Sequence, residues 1–181
     1  MKALVLSSGG LDSTVCVGYA VSLYGAKNVT TLSAYYGQRH DKELECAKKV
    51  AEYYGVDHYE LDLSKIFEAS NNPLLKKSTD AIPIGSYEEQ QQKDKRVATY
   101  VPFRNGLLLA SAASFAGSIY PDDNVKIMYG AHADDAAGEA YADCSPKFAD
   151  AINKAIMIGT YDGVSLEAPL VNMTKAQVVE R

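Results

Sequence analysis

Two periodicities alternate along the chain. Five short apolar or β-branched runs stand at 3–6, 29–35 ("VTTLSAY"), 58–61, 125–129 ("VKIMY") and 164–166, the third being the weakest. Between them, apolar residues recur at helical spacing over about 12–26, 40–55, 104–118, 145–158 and 173–181. The clearest helix is "KELECAKKVAEYYG", which puts Leu44, Ala47, Val50, Ala51 and Tyr54 on one face and ends on Gly55 as a stop signal. Strands alternating with helices of this length predict βαβ units: an α/β, doubly wound, mostly parallel five-stranded sheet with flanking helices. Ligands of such sheets bind beyond the carboxyl ends of the strands, near the switch in strand order.

The polar stretch 76–99, with "EEQQQKDKR" in it, follows neither period and predicts a long surface loop or lid. A chain of 181 residues that is 47% hydrophobic and 23% charged is expected to form one domain, 1–181. A net charge of −5 argues against a broad nucleic-acid surface, and no apolar run approaches the roughly 20 residues of a membrane span. The strand-like "KALVL" starts at residue 2, so no leader peptide is expected. Cys16, Cys46 and Cys144 are odd in number and far apart, which points to a reducing cytoplasm.

Candidate chemistry gathers first in "LVLSSGGLDSTVC", residues 4–16, where two glycines, an aspartate and four hydroxyls follow a strand. Gly9 and Gly10 let main-chain N–H groups approach a ligand closely. Ser7, Ser8, Ser13 and Thr14 supply hydroxyls, and a helix starting near Leu11 offers its positive end. Together they suit a phosphate or pyrophosphate. The Walker lysine is missing, as is the three-glycine dinucleotide fingerprint. Asp12 or Ser13 acting only as a helix cap is the competing structural account.

"SGGLDS" (8–13) resembles the pyrophosphate loop of the N-type ATP pyrophosphatases, the PP-loop superfamily. Four further segments resemble the 7-cyano-7-deazaguanine synthases, the QueC family. They are "YYGQRHDKELECAKKVA", "TYVPFRNGLLLASAASFA", "YGAHADDAAGEAYADCSPKFADAI" and "LEAPLVNMTKAQVVER". The resemblance runs in order over nearly the whole chain. It implies a Rossmann-like, adenine nucleotide alpha hydrolase-like fold. The implied activity is a carbon–nitrogen ligase that converts 7-carboxy-7-deazaguanine and ammonia to the nitrile with ATP, through adenylated intermediates. It also implies Mg²⁺ with the nucleotide, a cytoplasmic homodimer, and small-molecule substrates rather than nucleic acid or membrane.

Carried onto this chain, the resemblance assigns Ser7, Ser8, Gly9, Gly10, Leu11, Asp12, Ser13 and Thr14 to the nucleotide. Asp12, Arg39 and Arg104 are the expected catalytic residues. Arg39, Arg104, Asn105, Asp134, Asp135 and Asp143 are expected on the substrate. The residue types agree: Arg39, with His40 beside it, follows a strand end and can fork onto a phosphate or carboxylate. Arg104 opens an apolar helix, where a cation opposes the dipole and a ligand contact accounts for it better. Asp134 and Asp135 can hold Mg²⁺ or accept from a guanine-like edge, or simply cap a turn. Phe103 stands where the family more often has glycine. Cys144 is assigned no nucleophilic role.

The family continues into four cysteines that hold zinc. This sequence stops at Arg181 within a helical pattern, so a domain truncated at its C-terminus is expected, with zinc only where that cluster is present. Two other readings stay open: another amide-forming or tRNA-modifying PP-loop enzyme, and a non-catalytic nucleotide-binding module.

Overall fold

Each of the five runs forms a strand in the computed structural model, which describes residues 1–38, 42–79, 100–133 and 141–180. In chain order the elements are β1 (Lys2–Leu6), α1 (Leu11–Tyr24), β2 (Val29–Tyr35), α2 (Lys42–Tyr54) and β3 (Asp57–Asp62). They continue with α3 (Arg104–Ile119), β4 (Val125–Met128), α4 (Pro146–Gly159), β5 (Val164–Glu167) and α5 (Lys175–Glu180). The strands make one sheet in the order β3-β2-β1-β4-β5, and every neighbouring pair is parallel. The expected doubly wound architecture is therefore present. The order reverses direction between β1 and β4, which places the switch point at their carboxyl ends.

Strand β1 shows why the sheet needs helices on both faces. Ala3 and Val5 pack with Cys16, Val17 and Ala20 of α1 and Val178 of α5. Leu4, between them, packs with Leu109, Ala112, Ala113 and Ala116 of α3 and Ile156 of α4. Successive side chains leave a strand on opposite faces, so a centre strand covered on both sides reads as an unbroken apolar run. Small residues on α3 let its backbone lie close to the sheet. The expected α2 face is also present, with Ala47 and Ala51 buried and Val50 and Tyr54 packed on the α1 side.

Strand β3 reads weakly for a physical reason. It lies at the sheet edge with most of its side chains exposed, and carries Asp57, Glu60 and Asp62. Charged edge strands discourage pairing with other chains and hide the apolar pattern that betrays inner strands. In β2, polar residues are buried but satisfied. The Thr31 hydroxyl pairs with His58 Nδ1 at 2.9 Å, and Ser33 donates to the Ser7 carbonyl at 2.5 Å. The loop expected at 76–99 lies outside the described residues from position 80 onward.

Candidate functional site

A cleft of about 300 Å³ opens at the switch point. One wall is the turn from β1 into α1. Gly10 is the N-cap of α1, in extended geometry, and no side chain caps the helix. Neither Asp12 nor Ser13 is the cap that the structural account required. The first-turn N–H groups lack acceptors within the helix, and the macrodipole adds positive character there. Ser13 instead braces the turn: its hydroxyl donates to the Gly10 carbonyl at 3.0 Å and accepts the Ser8 N–H at 3.2 Å. Thr14 donates to the same carbonyl at 2.9 Å. Leu11 is exposed, whereas Ser7, Ser8, Asp12 and Ser13 line the cleft. Ser7 is only 4% exposed, and its hydroxyl has no hydrogen-bond partner among the described residues.

Two glycines make the turn fit its neighbours. Gly9 has φ +75°, and a Cβ there would lie 2.5 Å from the Ala47 nitrogen and the Glu43 carbonyl of α2. Gly130, just past β4, abuts the start of α1; a Cβ there would lie 2.9 Å from the Asp12 carbonyl carbon. Both positions require a residue without a side chain.

The cation absent from the loop arrives from the far end of the chain. Lys175 Nζ donates to both carboxylate oxygens of Asp12, at 2.7 and 2.6 Å. His132 Nε2 lies 3.8 Å from the same carboxylate. Lys175 is held at the start of α5 by a reciprocal cap. The Thr174 N–H donates to Gln177 Oε1 at 2.8 Å, and the Gln177 N–H returns to Thr174 Oγ1 at 3.4 Å. The "TKAQ" spacing was the available signal for that helix start, but nothing local points its lysine at residue 12.

The opposite wall comes from α3 and the segment before α4. Arg104, half-buried, donates from Nη1 to the Tyr36 hydroxyl at 3.3 Å and lies 5.6 Å from that ring's centre. Burial opposes its charge, but Tyr36, Asp143 and Cys144 outweigh it, and the guanidinium is held above its ordinary pKa. Asn105 donates from Nδ2 to the Asp143 carbonyl and to Cys144 Sγ, at 3.3 and 3.2 Å. Buried Asp143 accepts the Asn105 N–H on Oδ2 at 2.9 Å, which satisfies one orphan donor of the α3 N-terminus. Asp143 thus acts on the helix, while its neighbour Cys144 lines the cleft with Arg104 and Asn105. Phe103 takes the left-handed conformation, φ +52°, which explains why glycine suits that position. Its ring meets Phe148 edge-on, 5.8 Å between centres.

Tyr36, Gln38, Glu43 and Tyr129 also line the cleft and had no individual signal in the sequence. Arg39, His40, Asp134 and Asp135 lie outside the described residues. Among the described residues, no group of three or more His, Cys, Asp or Glu side chains could hold a metal ion. Cys16 and Cys144 are buried and Cys46 is exposed, and none of the three is in a disulfide.

Comparison with known proteins joins this geometry to a family. Among solved structures, NMN synthetase from Francisella tularensis superposes with a TM-score of 0.56 at 19% identity, over 99% of this chain and 59% of that one. The NH3-dependent NAD synthetase from Campylobacter jejuni gives 0.55 at 13%, over 99% and 61%. At such identity they share the fold. Sequence likeness is much stronger to the 7-cyano-7-deazaguanine synthase of Thermoplasma acidophilum, 38% identical over 98% of this chain and 71% of that protein. The synthase of Caldicellulosiruptor saccharolyticus is 38% identical over 99% and 75%. The family model described as "Queuosine biosynthesis protein QueC" matches residues 2–181. With strand order, loop and cleft in agreement with that match, the chain belongs to the QueC family of queuosine biosynthesis proteins.

Proposed function

We propose that this enzyme converts 7-carboxy-7-deazaguanine and ammonia to 7-cyano-7-deazaguanine at the expense of ATP. The observation that carries the reading is the meeting of two unlike walls in one cleft. An uncapped helix N-terminus faces a half-buried arginine held among polar groups. The first suits the pyrophosphate end of ATP, the second an organic carboxylate.

In this reading a carboxylate oxygen of the acid attacks the α-phosphorus, and pyrophosphate leaves with the electrons of the broken bond. Ammonia then attacks the acyl carbon, AMP departs, and a proton is lost to give the amide. The amide oxygen then attacks the α-phosphorus of a second ATP and pyrophosphate leaves; loss of AMP with that oxygen, and of both amide protons, gives the nitrile. The protein's part is positioning and charge stabilisation. The first-turn N–H groups of α1, with the Ser7 and Ser8 hydroxyls, hold the pyrophosphate. Asp12 sets Lys175 beside it, and Arg104 and Asn105 orient the acid, with Arg39, Asp134 and Asp135 completing the substrate side and Asp143 holding the start of α3. Asp12 and Glu43 are the carboxylates of the described cleft wall that would meet a Mg²⁺ ion, which would supply positive charge to offset the nucleotide phosphates. Zinc belongs with the family's cysteine cluster.

We also read the enzyme as a cytoplasmic homodimer acting on small molecules. A net charge of −5 supports small-molecule work over nucleic acid. No helix among the described residues is long and apolar enough to cross a membrane.

The test is incubation with ATP, ammonia and 7-carboxy-7-deazaguanine, following AMP, pyrophosphate and the nitrile by mass. Release of AMP and pyrophosphate that depends on the acid is expected. AMP formation indifferent to the acid overturns the reading.

A further inference from the structure

Tyr129 follows β4 at the switch point, and its ring is part of the core that α3 and α4 form on the sheet. The residue is 5% exposed, yet its hydroxyl has no hydrogen-bond partner among the described residues. Burying a hydroxyl without a partner destabilises a fold, and the packed ring cannot swing it out to water. Tyr129 nevertheless lines the cleft with Arg104, Asn105 and Cys144. A buried donor with no partner among the described residues, on a side chain that lines a ligand cleft, is accounted for by a partner that arrives with the ligand.

The surroundings narrow what that partner is. Burial first, then the electrostatics of Cys144 and Asp143, push the phenol's pKa up, so it stays protonated and can donate. The Asp143 carboxylate disfavours a second anion beside the hydroxyl, while Arg104 in the same cleft favours one. A neutral carbonyl is therefore the better acceptor for Tyr129, and the carboxylate the better partner for Arg104.

Building on the function proposed above, we infer that Tyr129 positions the acid by donating its phenolic hydrogen to the lactam oxygen of the deazaguanine ring. The residue thereby selects rings that carry an oxygen there and fixes the carboxylate toward Arg104. It takes no part in the bond changes, so its removal acts on acid affinity and selectivity.

The experiment compares wild type with Tyr129→Phe. It measures dissociation constants for 7-carboxy-7-deazaguanine, for the analogue lacking the lactam oxygen, and for ATP, with thermal unfolding of the ligand-free protein alongside. Wild type is expected to prefer the lactam acid by about tenfold, and the variant to lose that preference. ATP affinity is expected within about twofold of wild type, and the melting temperature unchanged or higher, since an unsatisfied hydroxyl is gone. A variant that keeps the preference, or melts several degrees lower, overturns the assignment by giving the hydroxyl a structural role or none. Wild type that binds ATP but neither acid overturns the functional reading, and this assignment with it.

Discussion

The two walls of the cleft are held together over very different distances along the chain. In the β1–α1 turn, the bonds among Ser8, Gly10, Ser13 and Thr14 join residues two to five positions apart. On the opposite wall, Asn105 meets Asp143 across 38 positions and Arg104 meets Tyr36 across 68. Lys175 reaches Asp12 across 163. A local turn keeps its shape wherever a strand feeds a helix. The arginine wall exists only once α3, β2 and the segment before α4 have docked on one sheet. The general part, the anion cradle, is thus encoded locally, and the selective part depends on the completed fold.

Breaking the long-range wall is expected to have the largest effect. Arg104→Ala should lower kcat/KM for the acid by about 100- to 1000-fold while ATP affinity stays near wild type, as steady-state kinetics beside nucleotide titration can show. Equal losses for both ligands would mean that the walls do not divide the substrates.

Gly9→Ala attacks the local wall. The left-handed φ and the overlap with α2 should destabilise the protein by about 2 kcal/mol, read by denaturant unfolding. ATP affinity should fall with it, because α2 must retreat from the turn. Unchanged unfolding would show that α2 moves freely there.

The smallest effect is expected for Lys175→Met, which severs the one contact described above that ties the chain's far end to the loop. The Asp12 pair is partly exposed, so stability should change by less than about 1 kcal/mol. The KM for ATP should rise about tenfold, more at low salt than at high, as kinetics across ionic strength would reveal. An unchanged KM would assign the lysine to local structure alone.

These contrasts also explain what was legible. The α2 face at Leu44, Ala47, Val50, Ala51 and Tyr54 could be read because amphipathic spacing is local and its burial follows from it. Arg104 stood out because a cation at a helix N-terminus contradicts the dipole unless something answers it. Tyr36 and Tyr129 could not be singled out, since any strand end can carry a tyrosine. Only the sheet order turns these two toward one cleft. The family resemblance assigns Asp143 to the substrate, and its bond to the Asn105 N–H shows a helix-capping duty that needs the tertiary approach of two distant segments.

By itself, the sequence determined the alternation of strands and helices, the anion-binding turn and the family. Each rests on periodicity, on glycine's freedom or on an ordered set of motifs within the chain. The tertiary structure alone decided that Lys175 closes on Asp12, that Arg104 lies against Tyr36, and that the Tyr129 hydroxyl has no partner among the described residues. Those outcomes follow from which elements become neighbours when both faces of the sheet are covered, a choice made by packing over the whole chain.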